Sequence, residues 1–494
     1  MVSSKVIIRL FLGILIIGLF FRIYNLDTES LWTDEAFSAR IASSEGIQEV
    51  IIGVAQTEAA PPGYYVLLHY WVHVFGDSMF MLRLLSVLFS ILAIVMLFLL
   101  VRMLFNTNVA LLASLFMATS MLQIEYAQEA RIYTLFTFLS LTSAYFFVKW
   151  WKNGKATLLW WHELFTLLAL YVNYIMIFII SGYLLFLFSQ RKEFPLHWKK
   201  WLRVHSLFFS LCIPLLPLIL AQFTTLNTGL AETLISKGMP AILAQLGLFL
   251  FALPALGFTL ILAFVVSAPK VKQLLAKMDH YFFPLMVLIG CAYLYVSVKP
   301  FVLHGIPFIR VPITNSYFLI RHSFFLVPLW YVYLGYKVNQ YFSHRKKYYA
   351  AAIIAIVLFF SFFSLHQYYT QPTKAQWQEA IEFIDENSSS GKVLVLLDKG
   401  GQSNEFLFQY YAPQDWLLLR LTWAGEWRDF QQVDEDRLFG LLEKTDGFWL
   451  VLSRNARTGY YYRDLLDEKY ERHRSKVLYG VEVYYYYYTQ KVNS

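Results

Sequence analysis

Long apolar runs alternate with short polar blocks from residue 6 to about residue 366, and then the alternation stops. A run of about 20 apolar residues, coiled as helix, crosses a hydrocarbon core of roughly 30 Å. The candidate spans are 6–24, 80–101, 109–122, 133–148, 157–172, 174–189, 204–221, 240–267, 282–298, 317–335 and 349–366. That makes about eleven, or about thirteen, because an error in the count must be even to preserve the alternation of loop charge. The first run follows Lys5 and Arg9 like a secretion signal, but no small-residue cleavage site comes after it, so it is expected to stay as the first span.

Beyond about Gln371 the pattern becomes that of a small soluble domain. A predicted helix, 377–387, precedes an apolar run, 393–397; a second helix, 434–444, precedes a second run, 448–452. Strand, helix, strand order points to an α/β layer. The segment Val481 to Thr489 contains five consecutive tyrosines, Tyr484 to Tyr488, and is predicted to be an aromatic strand. The fold class is therefore an α-helical polytopic membrane protein with a C-terminal extracytoplasmic α/β domain, divided into residues 1–366 and 367–494.

Composition agrees: 58% of residues are hydrophobic and 15% charged, where a soluble domain has roughly 25% charged. The net charge of +8 does not mark a nucleic-acid binder, because the basic residues sit in short blocks between apolar runs. Most of those blocks, among them Lys149, Lys152, Lys155, Lys199, Lys200 and Arg203, fall on one side of the membrane if the N-terminus is inside, and the short outer loops hold few basic residues. Cytoplasmic loops carry such an excess, so the N-terminus is expected to be cytoplasmic and the tail outside. Cys212 and Cys291, the two cysteines, lie within apolar runs, so no disulfide framework is expected. No Walker loop or dinucleotide glycine fingerprint is present, which argues against a nucleotide-driven pump.

The predicted outer side is acidic, with Asp34, Glu35, Glu58 and Glu129 among its carboxylates. Asp34 and Glu35 follow Leu31-Trp32-Thr33 about ten residues beyond the first span. A carboxylate held there can take the proton from an acceptor hydroxyl or amine as that group attacks a sugar carbon; it can equally be a solvated loop residue. The turn Glu125-Tyr126-Ala127-Gln128-Glu129-Ala130-Arg131-Ile132-Tyr133 packs two carboxylates, an amide and an arginine between two spans. If it is helical, Glu125 and Glu129 share a face and need a cation, an amino-sugar or Arg131 between them; a buried salt bridge of Glu129 with Arg131 is the alternative. Lys299, His304, Arg310, Arg321 and His322 form a basic group in the last outer loop, suited either to a lipid phosphate or to interfacial snorkelling. Asn173, between Tyr171 and Tyr174, can bond a sugar hydroxyl or satisfy a helix end. His69 and His73 share a helix face, but no carboxylate lies between them as a zinc-protease motif requires.

Together these residues resemble the bacterial membrane glycosyltransferases of the GT-C type that use polyprenyl-phosphate-linked sugars, a group that includes protein O-mannosyltransferases and the lipid A aminoarabinose transferase. The resemblance is carried by Leu31-Trp32-Thr33-Asp34-Glu35-Ala36, by Pro61-Pro62-Gly63-Tyr64-Tyr65 with His69, and by Phe75-Gly76-Asp77-Ser78 with Arg83. Gln128-Glu129-Ala130-Arg131-Ile132-Tyr133 and Arg321-His322 with Pro328 complete it, over about residues 5 to 335. It implies that Asp34 is the catalytic acid/base residue and that Glu35 and Glu129 shape the site, with Arg131 and Arg321 meeting the lipid phosphate. Glu58, His69, Asn173, Arg310 and His322 join them as expected substrate-binding residues. Two positions depart from the pattern. Glu58-Ala59-Ala60-Pro61-Pro62 stands where many relatives have Asp, any residue, His, Pro, Pro, and Asn173 stands where many have His. No metal ligands are therefore assigned, and a divalent cation stays open only as one held by Glu58 and Glu129 with water.

The expected activity is transfer of a sugar from a polyprenyl-phosphate donor to a lipid, glycan or protein acceptor on the outer face, without nucleotide. A transporter or flippase of lipid-linked sugars, or a non-enzymatic envelope assembly protein, are the alternatives.

Overall fold

The computed structural model describes residues 3–189, 195–222, 327–343, 347–388, 393–398, 402–421, 439–440, 442, 445, 447–453 and 457–487. Arg310, Arg321, His322 and the predicted spans 240–267 and 282–298 lie outside the described residues, as do residues 434–438 of the second predicted tail helix. The chain divides into two compact units. One comprises residues 1–26 and 41–367, the other residues 27–40 and 368–494.

The first unit is helical. Its N-terminal elements are α1 (Ser4–Ile23), the end of α2 (Thr33–Ala42), α3 (Ile47–Thr57), α4 (Gly63–Phe75) and α5 (Met79–Leu104). They are followed by α6 (Thr107–Thr119), α7 (Met121–Ala127), α8 (Tyr133–Asn153), α9 (Ala156–Val172), α10 (Met176–Ser189) and α11 (Pro195–Ser210). Helices Val327–Ser343 and Lys347–Thr370 come later. Among the described residues, three helices are long and apolar enough to cross a membrane: Ser4–Ile23, Met79–Leu104 and Lys347–Thr370. Two bent pairs also meet that standard, α6 with α7 at 60° and Trp198–Ser210 with Leu215–Gln222 at 65°. These several apolar helices mark a multi-pass membrane protein.

The predicted span 109–122 is broken at Ser120, and the cause is remote in sequence. Arg22, fully buried at the end of α1, donates from Nη1 to Ala118 O at 2.9 Å and from Nη2 to Met117 O at 3.2 Å. Its Nε donates to Ser90 Oγ at 2.8 Å. The guanidinium thus satisfies carbonyls at the end of α6 and complements the negative end of its dipole. The chain then restarts as α7 from an extended Ser120. Close to this break, the Gln128 side-chain amide donates to Arg22 O at 3.1 Å and Tyr24 O at 2.8 Å, which caps α1 in turn.

The second unit holds a five-stranded sheet in the order β2-β1-β3-β5-β4. The strands are β1 (Leu394–Asp398), β2 (Leu417–Leu421), β3 (Gly447–Ser453), β4 (Glu471–Leu478) and β5 (Val481–Tyr487). β1 runs parallel to β2 and β3, while β5 runs antiparallel to both β3 and β4. Helix Trp377–Asn387 forms as its amphipathic pattern predicts, burying Trp377, Ala380, Ile381 and Ile384. The β4–β5 hairpin turns at Tyr479-Gly480, where Gly480 adopts φ +78°, a conformation that favours glycine.

Tyr484 to Tyr487 of the tyrosine run lie in β5, and their side chains divide by face. Tyr484 and Tyr486 are buried among Leu396, Phe448, Leu450, Leu466 and Tyr470, whereas Tyr485 tilts against Trp449 at 4.7 Å. Tyr486 Oη donates to Asp467 Oδ1 at 2.9 Å. Burial, and then that hydrogen bond, pushes its phenol far above the ordinary value. A folded-state pKa raised above the unfolded one gives stability that is complete below the unfolded pKa, about 10, and is lost as pH rises beyond it. Near-ultraviolet circular dichroism melts between pH 9 and 11 are expected to show a falling melting temperature for this domain, and Tyr486→Phe should flatten the fall. An equally steep fall in Tyr486→Phe would remove Tyr486 as its source.

Candidate active site

Each unit contributes its own cluster of candidate residues. In the second unit, residues 27–32 lead into α2, whose first turn carries Asp34 and Glu35. A helix N-terminus is the natural place for negative charge, because its free N–H groups point outward. The two carboxylates have different surroundings. Glu35 is fully buried, and its Oε2 accepts from Lys374 Nζ at 2.9 Å. Asp34 is half-buried, and its carbonyl accepts from Ser38 Oγ at 3.0 Å inside the helix.

Three consecutive residues before α2, Glu29, Ser30 and Leu31, are each bound to the tail. Glu29 accepts from Thr373 N at 2.6 Å and from Thr373 Oγ1 at 2.7 Å. Ser30 Oγ donates to Glu379 Oε2 at 3.1 Å and accepts from Gln378 N at 3.0 Å. Leu31 N donates to Tyr411 Oη at 2.6 Å. Residues 27–40 belong to the same compact unit as the tail, a grouping that a division into 1–366 and 367–494 does not express.

In the first unit the structure brings together Glu58 and Arg131, which are 73 positions apart. Glu58 is the extended C-cap of α3, placed just before the prolines that open α4. Arg131 Nη1 reaches Glu58 Oε1 at 2.6 Å and Nη2 reaches Oε2 at 3.1 Å, a two-pronged bond between side chains only 8% and 9% exposed. Gln222 Nε2 donates to Glu58 O and Ala60 O, each at 2.9 Å, and Tyr174 Oη donates to Gln222 Oε1 at 2.9 Å. Beside them, burial holds the Tyr65 phenol well above its ordinary range, against the opposing pull of Arg131. It therefore stays a neutral hydroxyl at any physiological pH.

The remaining candidates have local roles in view. Glu129 is buried just beyond the end of α7, in a turn where Arg131 N donates to Glu129 O at 2.8 Å. The helix ends at Ala127, so Glu125 and Glu129 do not share a continuous helical face. His69 is buried on α4 with Nδ1 at 2.9 Å from Ala42 O, which requires the proton on Nδ1, and its ring lies 4.1 Å from that of His73. Asn173 caps α9, and its Oδ1 accepts from Ile175 N at 3.0 Å. At the same place Gly63 approaches the end of α9 so closely that a Cβ would lie 2.6 Å from Tyr171 O, so glycine alone fits there.

No group of three or more metal-ligating side chains occurs among the described residues. Both Glu58 oxygens accept from Arg131, so a cation held by Glu58 and Glu129 would have to share that carboxylate with the guanidinium. Lys374 and Gln222 escaped the sequence reading, and Tyr65 entered it only as part of the Pro61–Tyr65 motif. Gln222 and Lys374 stand far from any motif residue, and only the fold reveals their partners.

Comparison with solved structures gives this arrangement a context. Over 98% of both chains, the protein is similar to ArnT from Cupriavidus metallidurans bound to undecaprenyl phosphate, at 13% identity and a TM-score of 0.50. Over 96% of this chain and 72% of the other, it is similar to the Archaeoglobus fulgidus oligosaccharyltransferase in complex with Zn and sulfate, at 13% identity and a TM-score of 0.51. The chain has the GT-C glycosyltransferase fold. Residues 59–218 also match the family model described as dolichyl-phosphate-mannose-protein mannosyltransferase. That match contains His69, Glu129, Arg131 and Asn173 of the candidate residues, begins one position after Glu58 and leaves out Asp34 and Glu35. No curated protein sequence matches the chain.

Proposed function

We propose that the protein is a membrane glycosyltransferase that moves one sugar from a polyprenyl-phosphate-linked donor to a lipid, glycan or protein acceptor on the outer face. The observation that supports it most is the likeness over 98% of both chains to a GT-C protein solved with undecaprenyl phosphate bound. On this reading Asp34 accepts the proton of the acceptor hydroxyl or amine. The acceptor atom bonds to the anomeric carbon as the bond from that carbon to the phosphate oxygen breaks, and polyprenyl phosphate leaves with the electron pair. Arg131, Arg310, Arg321 and His322 supply positive charge for the leaving phosphate, and Glu35, Glu58, Glu129, His69 and Asn173 shape the sugar site. The basic loop blocks favour a cytoplasmic N-terminus and an outer tail.

The test is turnover of a panel of polyprenyl-phosphate sugars by the protein in liposomes, with lipid, glycan and peptide acceptors. Release of polyprenyl phosphate together with sugar on one acceptor class is the expected result. Lipid-linked sugar that crosses the bilayer with its sugar–phosphate bond intact would overturn the proposal in favour of a flippase.

A further inference from the structure

Asp34 belongs by sequence to the first outer loop, yet its segment forms one compact unit with the C-terminal domain. Every residue from Glu29 to Leu31 is hydrogen-bonded to the stretch 373–379 or to Tyr411. The strongest tie is charged. Glu35 is 0% exposed, so its ionised carboxylate is stable there only with a counter-charge, and Lys374 supplies it at 2.9 Å. Glu35 and Asp34 are neighbours in the first turn of α2, where successive side chains project about 100° apart. Fixing the rotation of that turn through Glu35 therefore fixes the direction of Asp34.

We propose that the C-terminal domain is part of the catalytic apparatus, and that Lys374 is a positioning residue that aims Asp34 by holding Glu35. This rests on the transferase reading of Asp34. It also gives the tail a task that needs no partner protein: it carries the anchors for the loop that bears the base. Thr373, with its two bonds to Glu29, and Tyr411, which receives the Leu31 N–H, are the supporting anchors.

The experiment compares Lys374→Met, Lys374→Arg and Tyr411→Phe with the unmodified full-length protein in two measurements. Loss of a hydrogen bond to a charged group corresponds to about a 10-fold effect or more. Lys374→Met is thus expected to lower kcat about 10-fold with donor KM within about 2-fold, and Lys374→Arg to recover most of it. Hydrogen exchange supplies a reading independent of turnover. In Lys374→Met the amides of residues 29–36 should exchange about 10-fold faster while β3 and β5 keep their protection. Tyr411→Phe, which retains the charge pair, should accelerate the same amides less. Unchanged exchange at residues 29–36 in both Lys374→Met and Tyr411→Phe would overturn the proposal, as would a loss of kcat that arginine does not recover. Absence of turnover in the unmodified protein would instead count against the transferase reading, and the exchange measurement would still decide whether Lys374 holds the loop.

Discussion

Asp34→Asn is expected to lower kcat about 1,000-fold while leaving donor KM within about 2-fold, since a positioned general base contributes about 100- to 10,000-fold. The amide has nearly the shape of the carboxylate and is at home in the first turn of a helix, so α2 and the Glu35–Lys374 pair should persist. What the substitution removes is the ability to take a proton. Glu35→Gln makes the informative contrast. It strips the counter-charge from Lys374, which is only 9% exposed, so its main effect should be on the order of the 29–36 segment and on stability. The pair of variants thus separates proton transfer from positioning at adjacent residues. Steady-state turnover with saturating acceptor is the measurement. Retention of more than about a tenth of wild-type kcat in Asp34→Asn would remove Asp34 as the base, because that loss is smaller than general-base catalysis supplies.

The elements that formed where the pattern predicted them are those whose cause is local. Runs such as Ser4–Ile23, Met79–Leu104 and Lys347–Thr370 are apolar over most of their length, and no remote partner is needed to make them helices. β5 was legible because β-branched and aromatic residues crowd one segment, and its interior place, between β3 and β4, follows from burying Val481, Val483, Tyr484 and Tyr486. Its neighbour β4, Glu471-Arg472-His473-Arg474-Ser475-Lys476-Val477-Leu478, passed unread. Charge on both faces hides its period, which is what an edge strand protected against further pairing looks like. The break at Ser120 was equally hidden, since the arginine that satisfies the end of α6 is Arg22, 96 positions from Ala118. For the site, residue types were legible and partners were not. Arg131 was marked as a charge in a costly place, but nothing in the Gln128–Tyr133 segment says that its carboxylate is Glu58. Likewise Asp34-Glu35 stood out as a pair, while the lysine that distinguishes them enters the chain 339 positions later.

The Glu58–Arg131 pair makes the second prediction, because stability and donor binding should respond in opposite directions. Removing one member of a buried ion pair leaves the other charged without compensation and costs about 3–5 kcal/mol, whereas removing both costs much less. Glu58→Gln and Arg131→Met are each expected to lower the melting temperature in detergent clearly, and the double variant to recover a good part of it. Now consider the donor, whose phosphate is anionic. While Glu58 holds both terminal nitrogens of the guanidinium, the pair is close to neutral and offers a phosphate little net attraction. In Glu58→Gln the neutralising charge of Glu58 is taken from Arg131, so donor KM should fall although the protein is less stable. In Arg131→Met the charge is gone, and donor KM should rise. A purely structural pair would lower stability in both variants and leave the two KM values alike. Opposite KM shifts therefore identify Arg131 as a phosphate-facing charge restrained by Glu58, and parallel shifts would confine the pair to joining α3 and α4 to the turn before α8.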